Sequence, residues 1–274
     1  MKIYISLKGT NLFPFIFYNR GFKTKMFVPL FDSTLEEAEI VLVGFPLEEG
    51  SDKKGYKEIP KKIRESFDEI YYPLRNRLPK VYDHGDIDLD MPLPKALDKI
   101  YETVLYFKSL GKKVYSLGGN HLISYPIIKA LEPRELIIFD SHPDCFYGDL
   151  NYATWVRYII EEGIIKPNKI ALVGINNWAK DEKEFLDSYN IKYYDSIDVF
   201  FDLDNVIQEL KKFKNPYVSL DFDVFIDKGV WREPLGIMPH HYLRIIYSLE
   251  NIYGFDLVEA KDYKLAGRIL LESF

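Results

Sequence analysis

Short, almost wholly apolar runs alternate along this chain with longer stretches whose apolar residues recur at every third or fourth position. The runs at residues 39–43, 113–116, 135–140, 169–174, 217–221 and 255–259 favour β-branched side chains and predict strands. Several of them lack a polar face, which predicts burial on both sides of a parallel sheet. Residues 94–110 place Leu97, Ile100, Tyr101, Val104 and Leu105 close to the roughly 3.6-residue period of a helix. Residues 152–162, 181–188, 204–213 and 240–249 predict further helices, as does the segment after residue 121. Residues 1–5 alternate briefly and predict a first strand. They lack the basic lead and small-residue cleavage site of a signal peptide.

Strand and helix in alternation, without repeats or low-complexity linkers, predict one α/β domain over residues 1–274, a parallel sheet with helices on both faces. Residues 45–64, rich in Gly, Lys and Glu, predict a surface loop leading into a helix. With 47% hydrophobic and 28% charged residues the chain is neither disordered nor collagenous. No apolar run approaches the roughly 18 residues of a membrane span, so a cytoplasmic protein with no membrane partner is expected. A net charge of −6 argues against a nucleic-acid partner. The single cysteine, Cys145, excludes an internal disulfide and a thiolate zinc cage. Abundant Lys and Glu, with Gln208 the sole glutamine, match the bias of thermophile proteins and equally that of a skewed genome.

Three apolar runs end in residues able to bind metal. The run at 135–140 leads into Asp140, His142 and Asp144, at alternate positions that face one side if the backbone stays extended. The run at 217–221 ends in Asp221 and Asp223. The run from Lys113 ends in Gly118-Gly119 and then His121, the glycines allowing a tight turn or close backbone approach. In an open parallel sheet, ligands bind beyond the carboxyl ends of the strands, where these residues fall. A lone strand-end Asp is more often a cap or turn former, and a lone His a satisfied polar residue. The joint pattern weighs differently. Four converging carboxylates repel one another, and two divalent cations balance them in formal charge. Oxygen-rich ligation with two imidazoles suits manganese or another first-row metal. Two metals roughly 3.5–4 Å apart can bridge one water and acidify it, giving a hydroxide nucleophile for metal-assisted hydrolysis.

These motifs resemble the ureohydrolase family of arginases, agmatinases and formiminoglutamases. The family pattern is Gly-Gly-Asp-His, Asp-Ala-His-x-Asp and Ser-x-Asp-x-Asp. The chain has Gly-Gly-Asn-His at 118–121, Asp-Ser-His-Pro-Asp at 140–144 and Ser-Leu-Asp-Phe-Asp at 219–223. The resemblance implies one metal on His121, Asp140, Asp144 and Asp221, another on His142, Asp140, Asp221 and Asp223, with Asp140 and Asp221 bridging. Weaker likenesses are Val-Gly-Phe-Pro-Leu-Glu-Glu-Gly at 43–50 with Gly55 and Pro60, Asp83, Gly85 and Asp86, and Asp256-Leu-Val-Glu259, whose Glu meets the substrate guanidinium in arginase. Covering residues 41–267, the resemblance implies a three-layer α/β/α sandwich around a mainly parallel sheet of about eight strands, assembled as a homo-oligomer.

The departures bear on activity. Where the family carries a proton-shuttling His, this chain has Tyr152, and a phenol with a pKa near 10 shuttles protons poorly at neutrality. Tyr152 reads either as a packing residue at a helix start or as a hydrogen-bond donor to a substrate oxygen. Asn120 replaces an Asp beside His121, its amide oxygen still able to accept from imidazole. Ile226 stands where the family has a third Asp, and Asp227 falls one place late. Glu259 favours a cationic substrate, although a strand-end salt bridge would also account for it. The expected function is a binuclear-metal hydrolase of linear C–N bonds in a guanidino or amidino compound, agmatinase- or arginase-like, with Tyr152 and Glu259 as catalytic candidates. The alternatives are a metal-binding relative with little catalysis, acting as a binding or regulatory protein, and an amide hydrolase of related fold. His84, His240 and His241 are left as replacements for the missing shuttle.

Overall fold

A computed structural model describes residues 31–51, 53–67, 73–74 and 78–274. The strand expected at residues 1–5 lies outside the described residues. The rest build eight strands: β1 (Ile40–Phe45), β2 (Val81–Asp86), β3 (Lys113–Gly118), β4 (Leu136–Phe139), β5 (Ile170–Ile175), β6 (Lys192–Asp195), β7 (Tyr217–Asp221) and β8 (Gly254–Val258). They form one sheet in the order β2-β1-β3-β8-β7-β4-β5-β6, and every pairing is parallel.

Alternation within each strand sends side chains to two separate cores. Ile40 and Leu42 of β1 join one; Val41, Val43 and Phe45 join the other. The first core is covered by α1 (Ile59–Ser66), α6 (Ser196–Phe201), α7 (Leu203–Leu210), α8 (Pro239–Ile246) and α9 (Tyr263–Glu272). The second is covered by α2 (Leu93–Ser109), α3 (Ser124–Leu131), α4 (Trp155–Glu161) and α5 (Lys180–Ser188). The result is the α/β/α sandwich, and among the described residues no helix is long and apolar enough to cross a membrane.

Two features of this sheet position a site. β3 and β4 are consecutive in sequence but separated by β8 and β7, so the four central strands are β3, β8, β7 and β4. Their carboxyl ends border the crevice where the strand order reverses, the usual ligand position in such sheets. The loop after β1 folds back over that end. Glu48 Oε2 accepts from the backbone N–H groups of Gly55 and Tyr56 at 2.6 and 3.0 Å, which fixes the loop ahead of α1. The Asp83, Gly85 and Asp86 motif has a bracing role here. Arg64 of α1 donates to both carboxylate oxygens of Asp83 and to Asp86, tying the helix to edge strand β2.

Candidate metal centre

Gly118 and Gly119 bring β3 against its neighbours. Neither has a positive φ. A Cβ at Gly119 would lie 2.0 Å from the carbonyl oxygen of Leu47, and one at Gly118 2.3 Å from Ile123 Cδ1. Close approach, rather than a tight turn, is therefore what requires glycine. Asn120 then caps a short 3₁₀ turn, its Oδ1 accepting from Leu122 N at 3.2 Å and its Nδ2 donating to Glu49 O at 3.0 Å. It does not bond the imidazole of His121, as an amide in that position was able to do.

Ser219 and Asp256 hold that imidazole instead. His121 Nε2 lies 2.9 Å from Ser219 Oγ, and Ser219 Oγ donates to Asp256 Oδ1 at 2.7 Å. Tyr217 donates to the other Asp256 oxygen at 2.6 Å. A hydroxyl has one proton, and Ser219 gives it to the carboxylate. The His121 Nε2–H must therefore be the donor to Ser219, which leaves Nδ1 to face the site. Asp256 stood within a noted motif without a role. Ser219 and Tyr217 precede Asp221 on β7 at alternate positions, so their convergence follows from the strand period.

Nδ1 of His121 lies 3.0 Å from Asp140 Oδ2, 3.0 Å from Asp144 Oδ2 and 3.3 Å from Asp221 Oδ2. Nδ1 of His142 lies 3.6 Å from Asp140 Oδ1 and 3.0 Å from Asp223 Oδ2. Two groups thus have metal-binding geometry: His121, Asp140 and Asp144, and Asp140, His142 and Asp223. Asp140 belongs to both, and Asp221 stands against the first. All six expected ligand residues meet at one place. Each is locally braced. Asp140 Oδ1 accepts from His142 N at 2.7 Å, Asp221 Oδ1 from Asp223 N at 2.9 Å, and Asp144 Oδ2 from Trp155 Nε1 at 2.9 Å. Asp144 has a φ of 50°, a left-handed conformation that Asp tolerates better than most residues.

The cluster is electrostatically incomplete. Five buried side-chain polar atoms among the described residues lack a hydrogen-bond partner, and three are here: His121 Nδ1, Asp140 Oδ2 and Asp223 Oδ2. Buried polar atoms are ordinarily satisfied, so these orphans call for cations: His121 Nδ1 and Asp140 Oδ2 face the first group, and Asp223 Oδ2 the second, beside His142. Burial, and then the neighbouring Asp140, push Asp144 up to about 7; burial and nearby carboxylates also raise Asp221 and Asp223. Asp140 goes the other way, to about 2, because the two imidazoles outweigh its burial. The imidazoles are raised in turn, since the carboxylates around them outweigh burial. The donor set fits a pair of hard or borderline divalent cations.

Glu259 comes from the end of β8. Its φ of 58° is strained for a residue of this size, a cost usually found at functional positions. Its Oε1 accepts from His121 N at 3.0 Å and its Oε2 from the Tyr56 hydroxyl at 3.2 Å. Burial, and then Asp223, raise its pKa to about 8. A cavity of about 160 Å³ opens over the cluster, lined in part by His142, Asp144, Tyr152, Trp231 and Glu259. Tyr152 precedes α4, which starts only at Trp155, and its ring stacks on Trp231 at 6.4 Å and 19°. Trp231, Glu233 and Lys53 carried no recognisable motif. Glu233 Oε1 lies 3.3 Å from His142 Nε2. His84 packs its ring 5.1 Å from Phe107, His241 accepts from Met238 N at the start of α8, and His240 is exposed. None of the three lines the cavity.

The electrostatics set a pH dependence for the metal-free protein. Carboxyl groups whose folded pKa is raised lose stability for the fold as pH climbs from their unfolded value through the folded one. Asp144, Asp221, Asp223 and Glu259 all act in this sense. His121 and His142 contribute stability that is full below an unfolded pKa of about 6.5 and is lost as pH rises towards their raised values, the same sign. The Tm of chelated protein is therefore expected to fall between about pH 5 and pH 8, whereas manganese restores it most at the upper end. Thermal melts with and without chelator check this; a chelated Tm that is flat or rises with pH contradicts it.

The comparisons with known proteins agree with the geometry. The arginase family model matches residues 38–263. An agmatinase of Bacillus anthracis is 30% identical over 269 residues, covering 88% of this chain and 90% of that one. The agmatine ureohydrolase structure of Thermoplasma volcanium superposes with a TM-score of 0.80 at 24% identity, covering 89% of this chain and 92% of the other. A Trypanosoma cruzi formiminoglutamase variant, whose structure is described with Mn²⁺, superposes at 0.79 with 19% identity over 89% of this chain and 95% of that one. With the fold, the clustered histidines and aspartates and the family match over most of its length in agreement, this chain belongs to the arginase family.

Proposed function

We propose that this protein hydrolyses a linear C–N bond in a guanidino or amidino compound, in the manner of an agmatinase or arginase. The observation that carries the reading is the convergence of six His and Asp side chains, three of whose buried inward atoms lack a hydrogen-bond partner. His121, Asp140, Asp144 and Asp221 would hold one divalent cation, and His142, Asp140, Asp221 and Asp223 the other. Manganese fits this donor set, and the Mn²⁺ described for the Trypanosoma cruzi formiminoglutamase variant supports it. When bound, such a pair neutralises the four aspartates and supplies an acidified water at neutral pH.

The remaining chemistry falls to the chain. Each Glu259 oxygen has one lone pair engaged, by His121 N or by Tyr56, and one left for a guanidinium N–H. A cationic head placed there restores the charged form that burial disfavours. Trp155 and the loop after β1 keep bulk water from the back of the site; both Trp155 and Tyr56 are fully buried. Tyr152 lies at the wall, where a phenol can donate a hydrogen bond to a substrate atom. Manganese-loaded protein incubated with a panel of guanidino and formimino compounds tests the reading. Release of urea or formamide supports it; no C–N cleavage across the panel rejects it.

A second reading, a metal-binding relative with little catalysis, is favoured by one observation: besides the ligand His142, no histidine lines the cavity. Tyr152→His separates the two. If a proton shuttle is what the site lacks, this substitution raises kcat by about 10²-fold or more at neutral pH. A wild-type enzyme that already turns over briskly gains little and excludes the second reading.

A further inference from the structure

We propose that the preferred substrate carries an anionic group, such as a carboxylate, at the end remote from its guanidino or amidino head, and that Lys53 receives it at the rim of the cavity. The inference rests on the hydrolase reading above and narrows its substrate class. Lys53 comes from the loop after β1. Its Nζ sits 3.2 Å from the centroid of the Trp231 ring and donates to Val230 O at 3.1 Å. Trp231 lines the cavity and stacks on Tyr152, so the ammonium is fixed to the same wall that a bound substrate would touch.

The charges around the site are otherwise spoken for. Asp140, Asp144, Asp221 and Asp223 balance two divalent cations, and Glu259 balances a cationic head. Glu233 lies against His142 Nε2 at 3.3 Å and accepts from Asn177 at 3.4 Å. Lys261 adds a second positive charge near Lys53. With Glu259 and Asp223 engaged in this way, a substrate lying from Glu259 towards Trp231 meets the ammonium groups of Lys53 and Lys261 at its far end, with Glu233 the remaining carboxylate beside Lys53. An ammonium has three donors, and Val230 O takes one of those on Lys53. Partial burial is the first cause that lowers the Lys53 pKa, so a neighbouring anion would stabilise its charged form. A substrate with an ammonium tail would instead oppose Lys53, or displace it from the Trp231 face and take up its cation–π contact.

The two cases are separated with 4-guanidinobutyrate and agmatine, which share a guanidino head and differ in the charge of the tail. The manganese-loaded protein is expected to favour the acid by about tenfold or more in kcat/KM, mainly through KM, as for a partly screened charge pair. Lys53→Met should remove the preference and Lys53→Glu reverse it. Calorimetric binding of the two compounds reads the same ratio without turnover, so a failure of hydrolysis is distinguishable from a failure of this assignment. A preference for agmatine overturns the proposal. So does a preference for the acid that both Lys53 variants leave intact, or no binding of either compound.

Discussion

Asp140→Ala is expected to strip both cations from the protein and to reduce C–N hydrolysis by at least about 10³-fold. Loss of a group that merely supports a metal ligand costs about 10–100-fold, and Asp140 stands in both clusters. Its two oxygens face two different imidazoles, Oδ2 towards His121 and Oδ1 towards His142. Alanine removes both contacts and leaves three aspartates that still repel. The substitution also weakens the metal-free fold, because Asp140 is the carboxylate that the two imidazoles stabilise. Asp221→Asn should behave differently. Burial and three neighbouring carboxylates raise Asp221, so removing its charge stabilises the metal-free protein while still impairing metal binding. Elemental analysis with thermal melts under chelation reads both outcomes. Full metal occupancy in Asp140→Ala would sink the assignment.

Glu259→Gln is expected to lower kcat/KM by about 10²–10³-fold while leaving both cations in place, the size of a buried charge pair lost from one side. The amide carbonyl can keep one of the two present contacts, with His121 N or with Tyr56, so the backbone has little cause to move. What it loses is the charge that receives a cationic head. Retained metal with lost activity separates this variant from Asp140→Ala. Steady-state kinetics beside elemental analysis measure it, and unchanged kcat/KM would return Glu259 to the role of a strand-end structural acid.

The interior of the sheet was legible because burial on both faces leaves a plain signature. The six strands predicted within the described residues correspond to the six interior ones, β1, β3, β8, β7, β4 and β5. The two missed strands, β2 (Val-Tyr-Asp-His-Gly-Asp) and β6 (Lys-Tyr-Tyr-Asp), are the edges. An edge strand is only partly covered and carries charges that discourage further pairing, so its sequence reads as a loop. α6 was missed because six residues are too few to display a period, and α9 because its apolar positions crowd together at Ile269, Leu270 and Leu271. The periodicity predicts a helix from residue 152, whereas α4 begins at Trp155, which leaves Tyr152 at the cavity wall.

At the site, the clustering of the six candidate ligands was legible because strand ends and alternate spacing bring them together. Their supports were not. Ser219 and Asp256 meet only because β7 and β8 are neighbours in the sheet, a pairing no local pattern reveals. Tyr56 reaches Glu259 across 203 positions of sequence. Lys53 and Trp231 meet through the folding of two loops, and neither residue type in a loop carries a signal of its own.

The central claim is a pair of cations sharing Asp140. An anomalous difference map from crystals grown with manganese, recorded at the manganese edge, tests it most directly. Two peaks roughly 3.5–4 Å apart are expected, one by His121 and Asp144 and one by His142 and Asp223, with Asp140 between them. No peak at this cluster, or a single one that leaves either imidazole unligated, would contradict it.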